Sequence, residues 1–212
     1  MVEKVYALGG SVFTENLDKL EQYWQAFGSE EQSVIVTGAG KLKENILAAE
    51  EIGNQAELDL IGIKATRLNA QTLSVALDSY PEIPETVDEL RKAAESDQDV
   101  VMGGLVPGYS TDAVAATVAE VLEADLVIAT SVDGVYDKDP EIEGAEKMES
   151  VSISELKRLT DGNNSAGKHD LIDSTALDII ERSNIETRVV LGTPENLKSS
   201  EFNGTRIVSE QG

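Results

Sequence analysis

The chain has 212 residues, 41% of them hydrophobic, enough to close one sizeable core without covalent staples. It contains no cysteine, so disulfides, zinc–thiolate sites and a cysteine nucleophile are excluded. With 40 acids against 17 bases, a net −23, nucleic acid is not an expected partner, because phosphate backbones are held by Lys and Arg clusters.

No run approaches the roughly eighteen apolar residues of a membrane helix, and no basic-then-apolar signal pattern opens the chain. A soluble, cytoplasmic protein with no membrane partner is the expectation. The acids are spread along helical stretches (Glu50, Glu51, Glu57, Asp59; Asp88, Glu89, Glu95, Asp97, Asp99) rather than gathered in a tail. That pattern reads as a solvated acidic surface suited to a salt-rich cytoplasm, hence a halophilic protein.

In chain order, residues 3–8 predict a strand, and Gly9-Gly10-Ser11 a sharp turn out of it. Leu17, Leu20, Trp24 and Phe27 are spaced for one helix face over 17–27, with Trp24 in the core. Residues 33–37 form a second strand ending in Gly38-Ala39-Gly40-Lys41, followed by a helix carrying Leu42, Ile46, Leu47 and Ala49. A further helix runs from about Ile63 to Leu77. Pro81 and Pro84 break the chain, and 85–94 is helical.

Asp99 to Met102 ends a buried strand. Gly103, Gly104, Pro107 and Gly108 form the next loop, and Ser110, Thr111 and Asp112 stand where a helix begins. Residues 125–130 are a fourth strand, and an acidic linker leads to a helix over 154–159 that starts at Ser152 or Ser154. A loop spans 161–168, and Leu171, Ile172, Leu177, Ile179 and Ile180 make a helical apolar face. Strands at 187–191 and 205–208 flank a short helix over 194–200. This alternation predicts an α/β fold: a mostly parallel sheet with helices on both faces, in one domain spanning 1–212.

Four strands end in glycine turns, after Leu8, Thr37, Met102 and Thr130. Ligands of open α/β sheets bind outside the carboxyl ends of the strands, so four such turns on one edge would line a crevice for two anions placed end to end. Phosphoryl transfer needs that geometry. Two common nucleotide motifs are absent: Gly40-Lys41 is followed by Leu42, so there is no Walker-type loop, and no Gly-x-Gly-x-x-Gly follows a strand.

Leu8-Gly-Gly-Ser-Val12, Gly38-Ala-Gly-Lys-Leu42, Leu60-Ile-Gly-Ile63 with Thr66-Arg-Leu-Asn-Ala70, Gly104 to Ala116, and Thr130-Ser-Val-Asp-Gly-Val-Tyr-Asp-Lys-Asp-Pro140 supply a different signal. Each is weak alone. Together, in this order and over nearly the whole chain, they resemble the amino-acid-kinase family and best its archaeal uridylate kinases. Ala166 to Asp173 and Asn203-Gly-Thr205 are similar to that family's tail.

The resemblance implies a three-layer αβα fold and transfer of the ATP γ-phosphate to UMP with Mg²⁺, the metal held mainly by the nucleotide phosphates. It divides the chain into an acceptor half, about 1–120, and an ATP half, about 121–212. It assigns Gly10, Ser11, Gly40, Thr130, Ser131, Tyr136 and Asp139 to ATP. To UMP it assigns Ala39, Asp59, Leu105, Val106, Pro107, Gly108, Tyr109, Ser110 and Thr111. Lys41, ahead of Lys168, and Ser11 are the catalytic candidates. It also implies a homo-oligomer, hexamer or dimer.

The sequence departs from the family at Ala7, where many relatives carry Lys, at Ala39 for glycine, at Glu44 for Arg and at Ser131 for Asn. Several roles stay open. Asp133 either caps its own turn or meets Mg²⁺, and Asp173 either orients a donor-side group or caps a helix. Arg67 is a helix-face charge or a subunit contact. His169 reads as a loop or packing residue rather than a base. Two other functions stand beside UMP phosphorylation: a sibling kinase acting on carbamate, an acidic amino acid or isopentenyl phosphate, or an impaired nucleotide-binding subunit.

Overall fold

The computed structural model of the chain describes residues 2–27, 31–161, 172–198 and 203–208. Its strands are β1 (Lys4–Leu8), β2 (Ser33–Thr37), β3 (Val100–Met102), β4 (Asp125–Thr130), β5 (Ser150–Ser152), β6 (Thr187–Leu191) and β7 (Gly204–Val208). They form one sheet in the order β3-β2-β1-β4-β6-β7-β5. The first five of that order are mutually parallel, β7 is antiparallel to β6, and β5 is parallel to β7.

Side chains alternate across this sheet, as the period of a strand requires. Val5, Ala7, Val34, Val36, Val100, Met102, Leu126 and Ile128 enter one core. Tyr6, Leu8, Ile35, Val101, Val127 and Ala129 enter the other. Helices α5 (Val87–Ala94), α6 (Thr111–Leu122), α7 (Ile153–Asp161) and α8 (Ser174–Ser183) cover the first face. Helices α1 (Gly10–Glu15), α2 (Leu20–Phe27), α4 (Gln55–Leu77) and α9 (Pro194–Leu197) cover the second. Each buried Val, Leu or Ile contributes about 1.5–3 kcal/mol, so both faces need their helices. The short α3 (Lys43–Ala49) buries no residue, and Leu47 lies in solvent.

Several expectations from the sequence are corrected. The glycine turn after β1 is also the start of α1, which the short run between turn and apolar stripe concealed. Trp24 is half exposed, and Leu17 nearly so. The inward face of α2 is Tyr23 and Phe27, one helical turn apart and stacked with ring centroids 6.0 Å apart; Phe27 sits edge-on to Tyr6 at 5.0 Å. With that pair inward, Trp24 is rotated toward water.

Helix α4 starts well before Ile63. Asn54 Oδ1 accepts from Glu57 N (3.1 Å) and Glu57 Oε2 accepts from Asn54 N (2.9 Å), a reciprocal cap that sets its first turn. Strand β5 falls where the sequence predicts linker. The Ser152 hydroxyl accepts from Glu155 N at 3.2 Å at the start of α7, which extends through Asp161. Ile172 is buried but precedes α8, and α9 ends at Leu197. Leu171 and the loop 162–168 lie outside the described residues.

Candidate active site

Because β3, β2, β1 and β4 are adjacent and parallel, their carboxyl ends (Met102, Thr37, Leu8, Thr130) stand side by side, and the four glycine turns leave from one rim. The first two turns interlock. A methyl group on Gly10 would stand 2.6 Å from the Gly38 carbonyl carbon and 2.7 Å from Ala39 N, and one on Gly38 would stand 2.9 Å from Gly10 Cα. These glycines therefore serve backbone-to-backbone packing before any ligand is considered. Gly40 also requires its positive φ of 54°.

The middle of α4 ties the turns down. Asn69 Nδ2 donates to the carbonyls of Gly38 (2.7 Å) and Ala39 (3.1 Å), and Thr37 Oγ1 donates to the Thr66 carbonyl (2.8 Å). Thr66 Oγ1 accepts from Gly104 N at 2.8 Å. Arg67 donates to the Gly104 carbonyl at 3.1 Å and pairs with Glu85 at 2.5 Å, joining α4 to two loops of its own chain. Thr66, Arg67 and Asn69 fell inside a motif quoted from the sequence, but no spacing rule shows that this helix turn meets three loops.

Between α3, α4 and the 104–111 loop lies a cleft of about 240 Å³. The predicted Ala39, Asp59, Val106, Tyr109, Ser110 and Thr111 line it, together with Ile46, Gly62, Ile63, Thr66 and Gly104, which the sequence places in helices and motifs without a UMP role, and Lys43 and Leu58, which carry no signal there. Asp59 Oδ2 accepts from Gly108 N (2.8 Å), bridging α4 to the loop, and its Oδ1 accepts from Gln55 (2.8 Å). Leu105 packs on the core behind the loop, while Pro107 is exposed. Of the lysines next to the second turn, Lys43 lines the cleft. Lys41 is exposed on the Gly40–Leu42 turn, where its N–H donates to Thr14 Oγ1 at 3.2 Å. Glu44 is exposed and outside the lining.

At the head of α6, Ser110 Oγ accepts from Ala113 N (3.0 Å) and donates to Asp173 Oδ2. Asp173 Oδ1 in turn accepts from Thr175 and Ala176 N–H groups, so Asp173 caps α8 and also joins it to α6. Beside them, burial and the charge of Asp173 push the Asp112 carboxyl up to about 7, against the pull of the Lys43 ammonium. The sequence marks Asp112 only as part of a helix start.

On the other side of β1, Thr130 ends β4 with its carbonyl accepting from Gly192 N at 2.8 Å, and Ser131 is exposed. Asp133 has both carboxylate oxygens engaged, Oδ1 by the Tyr136 hydroxyl (2.8 Å) and Oδ2 by Lys147 (3.1 Å). Asp139 accepts from Glu141 N at 2.9 Å within its own turn. Ser11 is exposed in the first turn of α1. Lys168 and His169 lie outside the described residues.

A parallel sheet flanked by helices, with a furrow of interlocked glycine turns along its carboxyl rim, is the architecture of an α/β enzyme that handles anionic ligands. Residues 3–191 match the amino acid kinase family, and the chain belongs to it. A uridylate kinase of Methanococcus maripaludis is 39% identical over 97% of this chain and 99% of its own length. One of Methanococcoides burtonii is 40% identical over 96% of each. The crystal structure of uridylate kinase from Archaeoglobus fulgidus superposes with a TM-score of 0.87 at 38% identity, covering 98% of this chain and all of that one.

Proposed function

We propose that this chain transfers the γ-phosphoryl group of ATP to UMP, giving UDP and ADP. The similarity to uridylate kinases extends along almost the full length of both partners. The observation that carries the reading here is the cleft closed by the Asp59–Gly108 bond, because six residues expected at UMP line one cavity. In this reading Asp59 accepts hydrogen bonds from the nucleoside, Lys43 faces its phosphate, and the shared turn at Gly10 and Gly40 brings donor and acceptor phosphates together. Such a reaction needs positioning and charge neutralisation more than a base, since the acceptor oxygen is already anionic. Ser11, Thr130, Ser131, Tyr136 and Asp139 take the donor side, and Lys41 is the catalytic candidate on the turn between the two.

Among the described residues no three acidic or histidine side chains gather as a metal cage. A Mg²⁺ ion that arrives on ATP and is held by its phosphates would supply charge neutralisation. The impaired-subunit reading loses support at two positions. Ala7 is packed in the core, and Glu44 is exposed outside the lining of the cleft, to which Lys43 belongs.

Subunit association fits the outer face of α4. Leu60, Leu68 and Val75 are exposed there, and residues 60–77 form the longest stretch of the chain without Asp or Glu. A cytoplasm rich in salt fits the charge of −23, because at about 1 M salt the Debye length is about 3 Å and the repulsion of incoming nucleotides nearly vanishes.

The test is ADP release with ATP, Mg²⁺ and UMP across KCl concentrations, with carbamate, acidic amino acids and isopentenyl phosphate as rival acceptors. Turnover with UMP, rising with salt, is expected. Preference for another acceptor overturns the substrate, and a steady decline in rate from low salt upward overturns the halophilic reading.

A further inference from the structure

The segment after β4 leaves the sheet at Ser131 and returns to it as β5 at Ser150. In between, the only ladder-type pairing among described residues outside named strands is a single antiparallel bridge, Tyr136 to Lys147. Backbone with so few ladder bonds opens at low cost unless side chains tie it down. The ties come from β7.

The buried Thr205 hydroxyl accepts from Val135 N at 2.8 Å and donates to the Met148 carbonyl at 2.6 Å, so one group clamps the outgoing and returning arms. Gly134 lies against it with φ +152°, and a methyl group there would stand 2.6 Å from Thr205 Oγ1. Lys147 Nζ completes the brace. It donates to Asp133 Oδ2 (3.1 Å), to the Asp133 carbonyl (3.4 Å) and to Asn203 Oδ1 (2.9 Å). The three donors of an ammonium are thereby spent inside the protein, so Lys147 acts through the turn rather than on a ligand. Burial works against the ionised Asp133 carboxyl, but the Tyr136 hydroxyl and Lys147 outweigh it and hold its pKa below the ordinary value. Asn203 and Thr205 lie beyond residue 191, where the family match ends.

We propose that Thr205, Lys147 and Asn203 are positioning residues for the nucleotide donor, and that β7 is a brace without which the Ser131–Asp139 turn cannot hold ATP. The proposal rests on reading that turn as the donor side. A turn misplaced by about 1 Å costs on the order of a hundredfold in rate, and replacing Thr205 by Val leaves a buried N–H and carbonyl unpaired while keeping the side-chain shape.

The experiment uses the full chain and its T205V, T205S, K147Q and N203A variants. Binding of a non-hydrolysable ATP analogue is followed by calorimetry, and KM for ATP and for UMP is measured separately. T205V and K147Q are expected to weaken ATP-analogue binding and raise KM for ATP about tenfold. KM for UMP should be unchanged, T205S should recover parental values, and N203A should show a smaller loss. Parental ATP binding in T205V and K147Q, or equal rises in both KM values, overturns the brace. Should T205V fail to fold, the exposed Asn203 and half-buried Lys147 variants decide the matter through the same split. A parent that binds the analogue without phosphorylating UMP overturns the functional reading while the binding data still judge the brace; a parent that binds no analogue overturns both.

Discussion

The acceptor cleft and the donor turn share a rim but are supported in different ways. The cleft rests on α4, whose Asp59, Thr66, Arg67 and Asn69 bond to three separate loops through partners in residues 37–108. The donor turn projects from β4, and its fixings are Thr205, near the far end of the chain, and Lys147, itself held by Asn203. One site is thus shaped by a stiff helix before a ligand arrives. The other depends on a strand that folds in from a distant part of the sequence. Differences between the two sides should therefore appear as separable effects on the two substrates.

The largest effect is expected where the sides meet. Gly10→Ala forces a methyl into the backbone of Gly38 and Ala39, and should cost about 3 kcal/mol or more and abolish use of both substrates. Thermal unfolding and initial rates measure this; a variant with parental Tm and rate would show that the turns are not interlocked.

Asp59→Asn should act on the acceptor alone. Loss of the charged acceptor raises KM for UMP about tenfold to a hundredfold with KM for ATP unchanged, as read from two-substrate kinetics. Parallel changes in both constants would erase the distinction between the sides.

Asp112→Asn sharpens the comparison through pH. Burial first, then Asp173, raise the Asp112 carboxyl to about 7, so between its ordinary 3.8 and about 7 the folded chain holds a proton that the unfolded chain has lost. Stability contributed by this group therefore falls as pH rises through that window. Asp99, raised to about 6 by burial, tilts the same way in parent and variant, so the difference between them is the measure. The variant should gain Tm relative to the parent as pH goes from 5 to about 8. A constant difference would mean that Asp112 is ionised throughout.

The smallest effect is Gly108→Ala. Its φ is +86°, but beyond the adjoining residues nothing lies within 4 Å of the added methyl, so about 1 kcal/mol of backbone strain and a few-fold rise in KM for UMP are expected. A change in KM for ATP would be unexplained by this geometry.

Strands 33–37, 125–130 and 187–191 were legible to the residue because short apolar runs bounded by polar or glycine signals leave little choice of ends. Helix α4 was cut short because Gly62 and the acids before it weaken the apolar period that marks a helix. Size and spacing alone point Trp24 to the core, because nothing along the chain shows that Tyr23 and Phe27 take the inward face. The acceptor loop and Asp59 came from ordered motifs, whereas Lys43 and the environment of Asp112 had no signal beyond residue type.

By itself, then, the sequence determined the alternation of strands and helices, the placing of glycine turns at strand ends, and the family. Those features are written in local periodicity and short motifs, which neighbouring residues enforce on each other. Only the tertiary structure decided which lysine enters the cleft, that Gly10 and Gly38 answer to each other, and that a threonine 70 residues away holds the turn at Val135. Such contacts are set by the order in which strands cross the sheet, and residues that meet only there carry no mark of each other along the chain.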